Sequence, residues 1–455
     1  MKIKNGLFIF RRDLRLTDNT GLLEAYKQVE NLYTCFIFTP EQVSNKNDFK
    51  STNSIQFMIE SLEELENKVK EKNGKLMILY GKNEKVVEHL IKELKIDGVY
   101  FNKDYTPYAN ERDNNIEDIC KKHKIHCENF QDYYLFEPGT ILTGSSTMFK
   151  KYTPFYNETK NYKFPSVNKG NIRKLTSSNI SDLSLEDAMS RFVGKENKEI
   201  LVHGGRELGL KRLQSAKNSQ KHYGKTRDFF DKSTSHLSAY IKYGCVSIRE
   251  VREEFSNIES FVSELIWREF FAHVLYAYPE VVGKSYQKKY RKIKWMNNKS
   301  QFDKWKDGQT GVPIVDACMR ELNSTGYMHN RGRMTVASFL IKTLLIDWRW
   351  GEKYFAQNLT DYDVASNNGN WQGISGTGVD MKPYFRDMNP WIQSSKFDKE
   401  AKYIKKWVPE LENVPARDIH KWYEKYENYK DVDYGRPVVD YVEQKEKMLK
   451  MYQDI

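Results

Sequence analysis

Leu7-Phe8-Ile9-Phe10, cut off at once by Arg11-Arg12-Asp13-Leu14-Arg15, is the stretch that decides the fold. Four consecutive apolar residues closed by charge carry no helical period and read as a strand buried on both faces. The same signal returns at residues 32–38, 75–80, 98–101 and 126–130. Between these runs, residues 53–72 and 84–94 place apolar positions at helical spacing. Strands alternating with helices predict an α/β domain over residues 1–131, a parallel five-stranded sheet with helices on both faces. No glycine-rich loop follows the first strand, which argues against Rossmann or P-loop use of the sheet. Taken alone, the arginines that stand there suit loop salt bridges. The apolar run is also too short for a signal-peptide core or a membrane span, so an intracellular, soluble protein is expected.

From residue 132 the pattern breaks into Gly, Pro, Ser, Thr and Asn, with turn signals at Pro138-Gly139, Gly144-Ser145-Ser146 and Pro165-Ser166. Residues 132–200 therefore read as an inter-domain linker. Beyond residue 200 strands disappear, and helical runs at 263–278, 314–322, 333–346 and 401–406 take over. All nine tryptophans lie in this part, so composition changes where periodicity does. Residues 201–455 are expected to form an all-α domain. With 455 residues, 39% of them hydrophobic, the chain is long enough for two cores.

A net charge of +11 favours a polyanionic partner without specifying one. Clustering says more: residues 284–306 hold nine basic residues and one acid, Asp303, interleaved with Tyr286, Tyr290, Trp295, Phe302 and Trp305. Basic stems beside aromatic faces suit a phosphate backbone with exposed bases. Five scattered cysteines without a CxxC pair suggest neither a disulfide framework nor a zinc site, and no metal is expected.

Several short segments are suggestive, yet each has an ordinary reading. Thr234-Ser235-His236-Leu237-Ser238 supplies hydroxyls before a helical run, which suits a pyrophosphate but equally an N-cap. Glu264 and Arg268 stand four apart on one helix face, as in a simple ion pair. Asn330 and Met334 would likewise face the same way. Asp361-Tyr362-Asp363 and Asn367-Asn368-Gly369-Asn370-Trp371 are polar and lack helical period, which suits a binding loop.

Read together, these segments resemble the cryptochrome/photolyase family, closest to class I enzymes that repair cyclobutane pyrimidine dimers. The resemblance runs in order along the whole chain. It starts at Phe10-Arg11-Arg12-Asp13-Leu14-Arg15 and continues through residues 264–270 and 329–333. Asp347-Trp348-Arg349-Trp350-Gly351-Glu352, Gly376-Thr377-Gly378-Val379-Asp380, Pro383-Tyr384-Phe385-Arg386 and Lys396-Phe397-Asp398 complete it. It implies an FAD cofactor, active as FADH⁻, contacted by Tyr223, Thr234, Ser235, Leu237, Ser238, Asp361 and Asp363. Arg333 would be the buried partner of Asp361, and Asn367 would face flavin N5. Trp371, Trp348 and Trp295 match the series that carries an electron from the surface to photoexcited flavin. Spacing by itself does not bring these three together.

The implied substrate is UV-damaged DNA whose pyrimidine dimer is flipped out of the stack, a use of flipping for which photolyases are an established example. Glu264, Trp267, Asn330 and Met334 match lesion contacts, and Arg227, Arg331, Arg386 and Lys396 are expected to bind DNA. A buried, protonated Glu264 would donate to a thymine carbonyl. Tyr108-Ala109-Asn110-Glu111-Arg112 resembles a folate-binding segment, which implies a methenyltetrahydrofolate antenna held by Asn110 and Glu111 with help from Lys284. An ordinary helix start with an acidic first turn is the other reading of that segment. Three positions depart from the class I pattern. Gly373 stands where a second dimer-stacking tryptophan is usual, His236 replaces a frequent arginine, and Phe261 replaces a tryptophan. The alternative is a cryptochrome-type signalling protein; Asn367 and the lack of a long tail after the helical region favour repair. Asn330 and Met334 stand where enzymes for the (6-4) photoproduct carry histidines, and neither side chain is a general acid, which points to the cyclobutane dimer. A monomer is expected.

Overall fold

The computed structural model describes residues 3–380 and 383–455. Strands β1 (Ile3–Phe10), β2 (Val29–Phe38), β3 (Leu76–Tyr80), β4 (Gly98–Asn102) and β5 (His126–Phe130) form one parallel sheet in the order β3-β2-β1-β4-β5. Helices α1 (Thr20–Gln28), α2 (Thr52–Glu71), α3 (Asn83–Glu93) and α4 (Pro107–His123) connect the strands. Alternation along β1 shows why both faces are covered. Leu7 and Ile9 join Val87, Leu90 and Ile91 of α3 and Ile116 of α4 in one core. Phe8 and Phe10 point the other way, into a core with Leu22 and Leu23 of α1 and Ile55, Phe57 and Leu62 of α2. That second core runs on into the helical half through Tyr240, Ile266 and Phe270.

The connecting stretch is less free than a linker. It carries the helices Tyr152–Thr159 and Leu185–Phe192, and it is stitched to the sheet by Thr176 N–H on the Leu32 carbonyl (2.8 Å) and Asp182 N–H on the Ile78 carbonyl (2.9 Å). At its other end Phe155 is fully buried and meets Phe270 with ring centroids 5.4 Å apart.

Four helices of the second half build the site: α5 (Glu259–Ala277), α6 (Asn330–Ser338), α7 (Trp348–Asn358) and α8 (Val364–Ser375). The run expected at 333–346 is not one helix. It stays α-helical to Ser338 and then widens into a π-helical turn, Phe339–Thr343, whose buried Lys342 amine reaches the Arg386 carbonyl.

The two halves are clasped by charge at the carboxyl ends of β1 and β4, where the strand order reverses. Arg12 bonds both Asp104, after β4, and Asp363, at the start of α8. Deeper, Arg15 and Arg249 share Asp132, and Arg249 also holds Asp18. Burial favours a neutral Asp132, but these two guanidiniums outweigh it and hold its carboxyl well below the usual carboxylate range. The opening arginines thus do form salt bridges, as their simplest reading expected.

Candidate functional site

The hydroxyl segment does not cap a helix. The short helix Ser238–Lys242 has Leu237 at its N-cap, with no side-chain cap bond. His236 takes a left-handed conformation (φ 52°), uncommon for a non-glycine residue. Thr234 and Ser235 stay partly accessible, and Ser238 is exposed between buried Leu237 and Ala239. The Thr234 hydroxyl shares a hydrogen bond with Tyr327 (2.8 Å), and Ser238 hydrogen-bonds Asp361. Arg333 grips Asp361 through both guanidinium nitrogens (3.1 and 2.9 Å). Burial alone would raise the Asp361 carboxyl; Arg333 and Ser238 more than offset it and keep it ionised. Accessible hydroxyls beside a fixed arginine–aspartate pair fit the phosphate and ribose of a dinucleotide cofactor.

Asp363 is the N-cap of α8 and accepts from Ser366 N–H (3.0 Å). Burial raises its carboxyl, but Arg12 and Arg268 hold it below the usual range. Asn367 lies one turn further along. Its amide N–H reaches the Glu352 carbonyl at 3.5 Å, and its side-chain carbonyl accepts no hydrogen bond among the described residues. That free acceptor is what an N–H donor on a ligand requires.

Trp371 and Trp348 are both buried in a further core within the helical half, together with Leu340 and Phe355, and Trp295 packs against that core. Trp371 lies on Gly351 of α7, where a Cβ would fall 2.1 Å from the indole edge. Trp348 stands three residues before Gly351, at the first position of α7. Met296 N–H donates to the Leu345 carbonyl and Asp347 N–H to Asn297 Oδ1 (both 2.9 Å), which lays Trp295 alongside the start of α7. The three tryptophans that spacing leaves apart thus share or border one core.

Glu264 does not pair with Arg268. It pairs with Arg227, from a distant segment, while Arg268 turns to Glu269 (3.4 Å) and lies over Tyr133 (4.1 Å). Glu264 is also less buried than expected, with its side chain 36% exposed. Burial still raises its carboxyl pKa, and Arg227 opposes that only in part. Next door, Arg331 pairs with Asp228 and lies over Phe397 (4.6 Å). Asn330 and Met334 do share a face, with amide and sulfur 3.9 Å apart.

Trp267 carries a partner that the sequence does not reveal. Tyr152 stacks flat against it, with centroids 3.6 Å apart and planes 6° from parallel, and its hydroxyl is anchored on Ser263 (2.7 Å). On α8, Ala365 shares a small core with Leu275 of α5, and a Cβ on Gly369 would fall 2.1 Å from Phe271. The helices thus run antiparallel in four-residue steps, and the next step sets Gly373 at the level of Trp267. A Cβ at Gly373 meets nothing within 4 Å. The missing aromatic wall is left as open space.

The basic cluster divides in two. Tyr290 and Trp305 are buried anchors, whereas Lys284, Lys288, Lys289, Arg291, Lys292 and Lys294 are exposed, so the cations and not all the aromatics face solvent. Arg386 and Lys396 are exposed as well. A cavity of about 600 Å³ opens over the ends of β1 and β2, lined among others by Arg12, Gln42, Phe49, Tyr108 and Arg112. Asn110 and Glu111 stand on the exposed side of α4, outside that lining. Besides Tyr152, the sequence reading missed Lys242, whose amine is brought down to about 7 by burial and by Arg12. Neither stands in a motif that would mark it.

Residues 7–169 match the family model described as DNA photolyase, and residues 261–454 match the FAD binding domain of DNA photolyase. The chain is 34% identical over 470 residues to the deoxyribodipyrimidine photo-lyase of Alkalihalophilus pseudofirmus, covering 97% of this chain and 96% of that one. Among solved structures it resembles an archaeal photolyase from Sulfolobus tokodaii with two FAD molecules, at 39% identity and a TM-score of 0.89 over 99% of this chain and 100% of that one. A cryptochrome from Synechocystis superposes with a TM-score of 0.90 at 28% identity, over 99% of this chain and 100% of that one.

Proposed function

The chain belongs to the DNA photolyase family, and from that premise we propose that it is a light-driven DNA repair enzyme that splits cyclobutane pyrimidine dimers. The helical half would hold FAD, which in its excited reduced form would supply the electron. Thr234, Ser235, Leu237 and Ser238 would hold its pyrophosphate with Tyr223 nearby, Asp361 and Asp363 its ribose and ring, and Asn367 would accept from N5–H. Arg333 fixes Asp361 for that purpose. Trp267 and Met334 would wall the flipped dimer, and Glu264 would donate to a thymine carbonyl as negative charge builds there. Arg227, Asn330, Arg331, Arg386 and Lys396 would meet the DNA. Trp371, Trp348 and Trp295 would restore the reduced cofactor by passing electrons inward.

The observation that carries this reading is the pairing of the open slot beside Trp267 with a carboxyl whose pKa is raised, Glu264, three residues away on the same helix. The test is to illuminate the purified protein with dimer-containing DNA and follow recovery of thymine absorbance. No recovery from reduced protein would overturn the proposal and revive the signalling alternative, which is less favoured. No helix of the described residues is long and apolar enough to cross a membrane. We take the protein to act inside the cell, as a monomer. A methenyltetrahydrofolate antenna on Asn110 and Glu111 would lie across the outside of α4, with Lys284 assisting, and not in the 600 Å³ cavity. Reconstitution separates the two placements, because Asn110→Ala abolishes the near-ultraviolet band only in the first.

A further inference from the structure

Two ion pairs stand side by side at Glu264. Arg227 pairs with Glu264 on α5, and the adjacent Asp228 pairs with Arg331 on α6 (2.5 Å). The side chains of Arg227 and Glu264 are 40% and 36% exposed, so their pair is open to water. Ion pairs as open as this contribute little to stability and are easily exchanged for another partner. The four charges cancel, and each arginine is held on an acid.

The charged and titratable groups that face Glu264 come from two neighbouring segments. Tyr223 lies on the short helix Tyr223–Thr226, and Arg227 and Asp228 follow it directly. Tyr152 comes from the helix Tyr152–Thr159. Arg331 reaches this group only through Asp228. Burial raises both phenols and the charge of Glu264 adds to it, so both stay protonated at neutral pH. Of these groups only Arg227 favours the carboxylate; burial and Asp228 favour the neutral acid.

We propose that Arg227 is a positioning residue for Glu264 that works by changing partners: a phosphodiester of the seated strand takes its guanidinium, and Glu264 takes up one proton from solvent. The proposal rests on the reading of this face as the lesion site. A phosphodiester offers a guanidinium two oxygens, as a carboxylate does, so the exchange keeps the arginine's hydrogen bonds. Arg331 makes the same exchange and leaves Asp228 uncovered. Glu264 then faces Asp228, a phosphate and a dimer that shuts out water, and all three favour the acid over the carboxylate. The balance is closed: carboxylate and buffer acid give carboxylic acid and buffer base, and both arginines keep their charge. The donor that the reaction needs is thus made only where DNA is bound. Binding that takes up a proton weakens as pH rises. Kd should grow by up to about tenfold per pH unit between the pKa of Glu264 in the free protein and the higher one in the complex.

The test is calorimetric titration of the flavin-loaded protein with dimer-containing duplex, in the dark and in buffers of different ionisation enthalpy. The dependence of the observed heat on that enthalpy counts the protons taken up, and no photochemistry enters it. At its maximum along the pH scale, wild type should take up at least about half a proton, the amount that a tenfold weaker acid gives. Glu264→Gln should take up none, with a Kd that no longer follows pH. Arg227→Ala should lose more than half of the wild-type uptake, because its Glu264 is the weaker acid before DNA arrives, and Arg227→Lys should restore it. Uptake that persists in Glu264→Gln, or that is unchanged in Arg227→Ala, refutes the exchange. So does tight binding of the dimer by wild type with no uptake at any pH at which the protein stays folded. If wild type binds dimer-containing DNA no more tightly than undamaged DNA, the reading of the lesion site itself is overturned.

Discussion

Glu264 is balanced between burial, which favours its neutral form, and Arg227, which favours its charge. Only the protonated carboxyl donates, so repair by pre-reduced enzyme should fall as pH rises through the raised pKa. Glu264→Gln keeps a donor and should lose that alkaline limb. Arg227→Ala removes the opposing charge and should shift the limb to higher pH. Glu264→Ala should cost roughly a hundredfold in repair. A pH profile unchanged in Glu264→Gln would assign the limb to another group. Gly373 gives a second prediction at this scale. Gly373→Trp should place a ring opposite Trp267 and tighten dimer-containing DNA by about 1–3 kcal/mol, read as a lower Kd with undamaged DNA unaffected. The Asn330–Met334 neighbourhood was legible in the sequence because helical spacing fixes it. The Glu264–Arg227 pair was not, since its partners are 37 residues apart and only tertiary packing joins them.

Among elements, the sequence announced those that are apolar and left silent those that are polar or irregular. Its five strand cores were legible, but β1 and β2 begin earlier than the apolar runs because Ile3–Gly6 and Val29–Asn31 mix exposed and buried positions. Neither the π-helical turn after Ser338 nor the Tyr152–Thr159 helix has a local signal, because each follows from what it packs against. The sharpest element-level feature is the close approach of α8 to its two neighbours through glycine. Gly369→Ala would drive a methyl into Phe271, and Gly351→Ala would drive one into Trp371. Each should cost about 1–3 kcal/mol in stability. Gly351→Ala should also slow flavin photoreduction, and Gly369→Ala should spare it. Equal effects of the two on photoreduction would mean that Trp371 is not positioned by that contact.

At the scale of the molecule, the clasp of Asp18, Asp132, Arg15 and Arg249 joins the sheet to the helical half, and its members come from three separate stretches of sequence. Asp132 has its pKa depressed in the folded state. It therefore contributes stability that is present above its unfolded value near 3.9 and is lost as pH falls toward the lower folded value. Arg249→Leu should cost about 3–5 kcal/mol at neutral pH by leaving two buried carboxylates short of a partner. The difference between variant and wild type in urea unfolding should shrink as pH falls below that range. A penalty independent of pH would mean that packing, not charge, holds the halves together.

The flat stack of Tyr152 on Trp267 is built into the fold, with the tyrosine hydroxyl anchored on Ser263. The indole has therefore given up its rotamer freedom at folding, and a base arriving from the duplex need not immobilise it again. Recognition then draws on a platform with a fixed orientation, and the rate of capture falls to the DNA's own opening. Loosening the platform by Tyr152→Ala would return that entropy cost to the encounter.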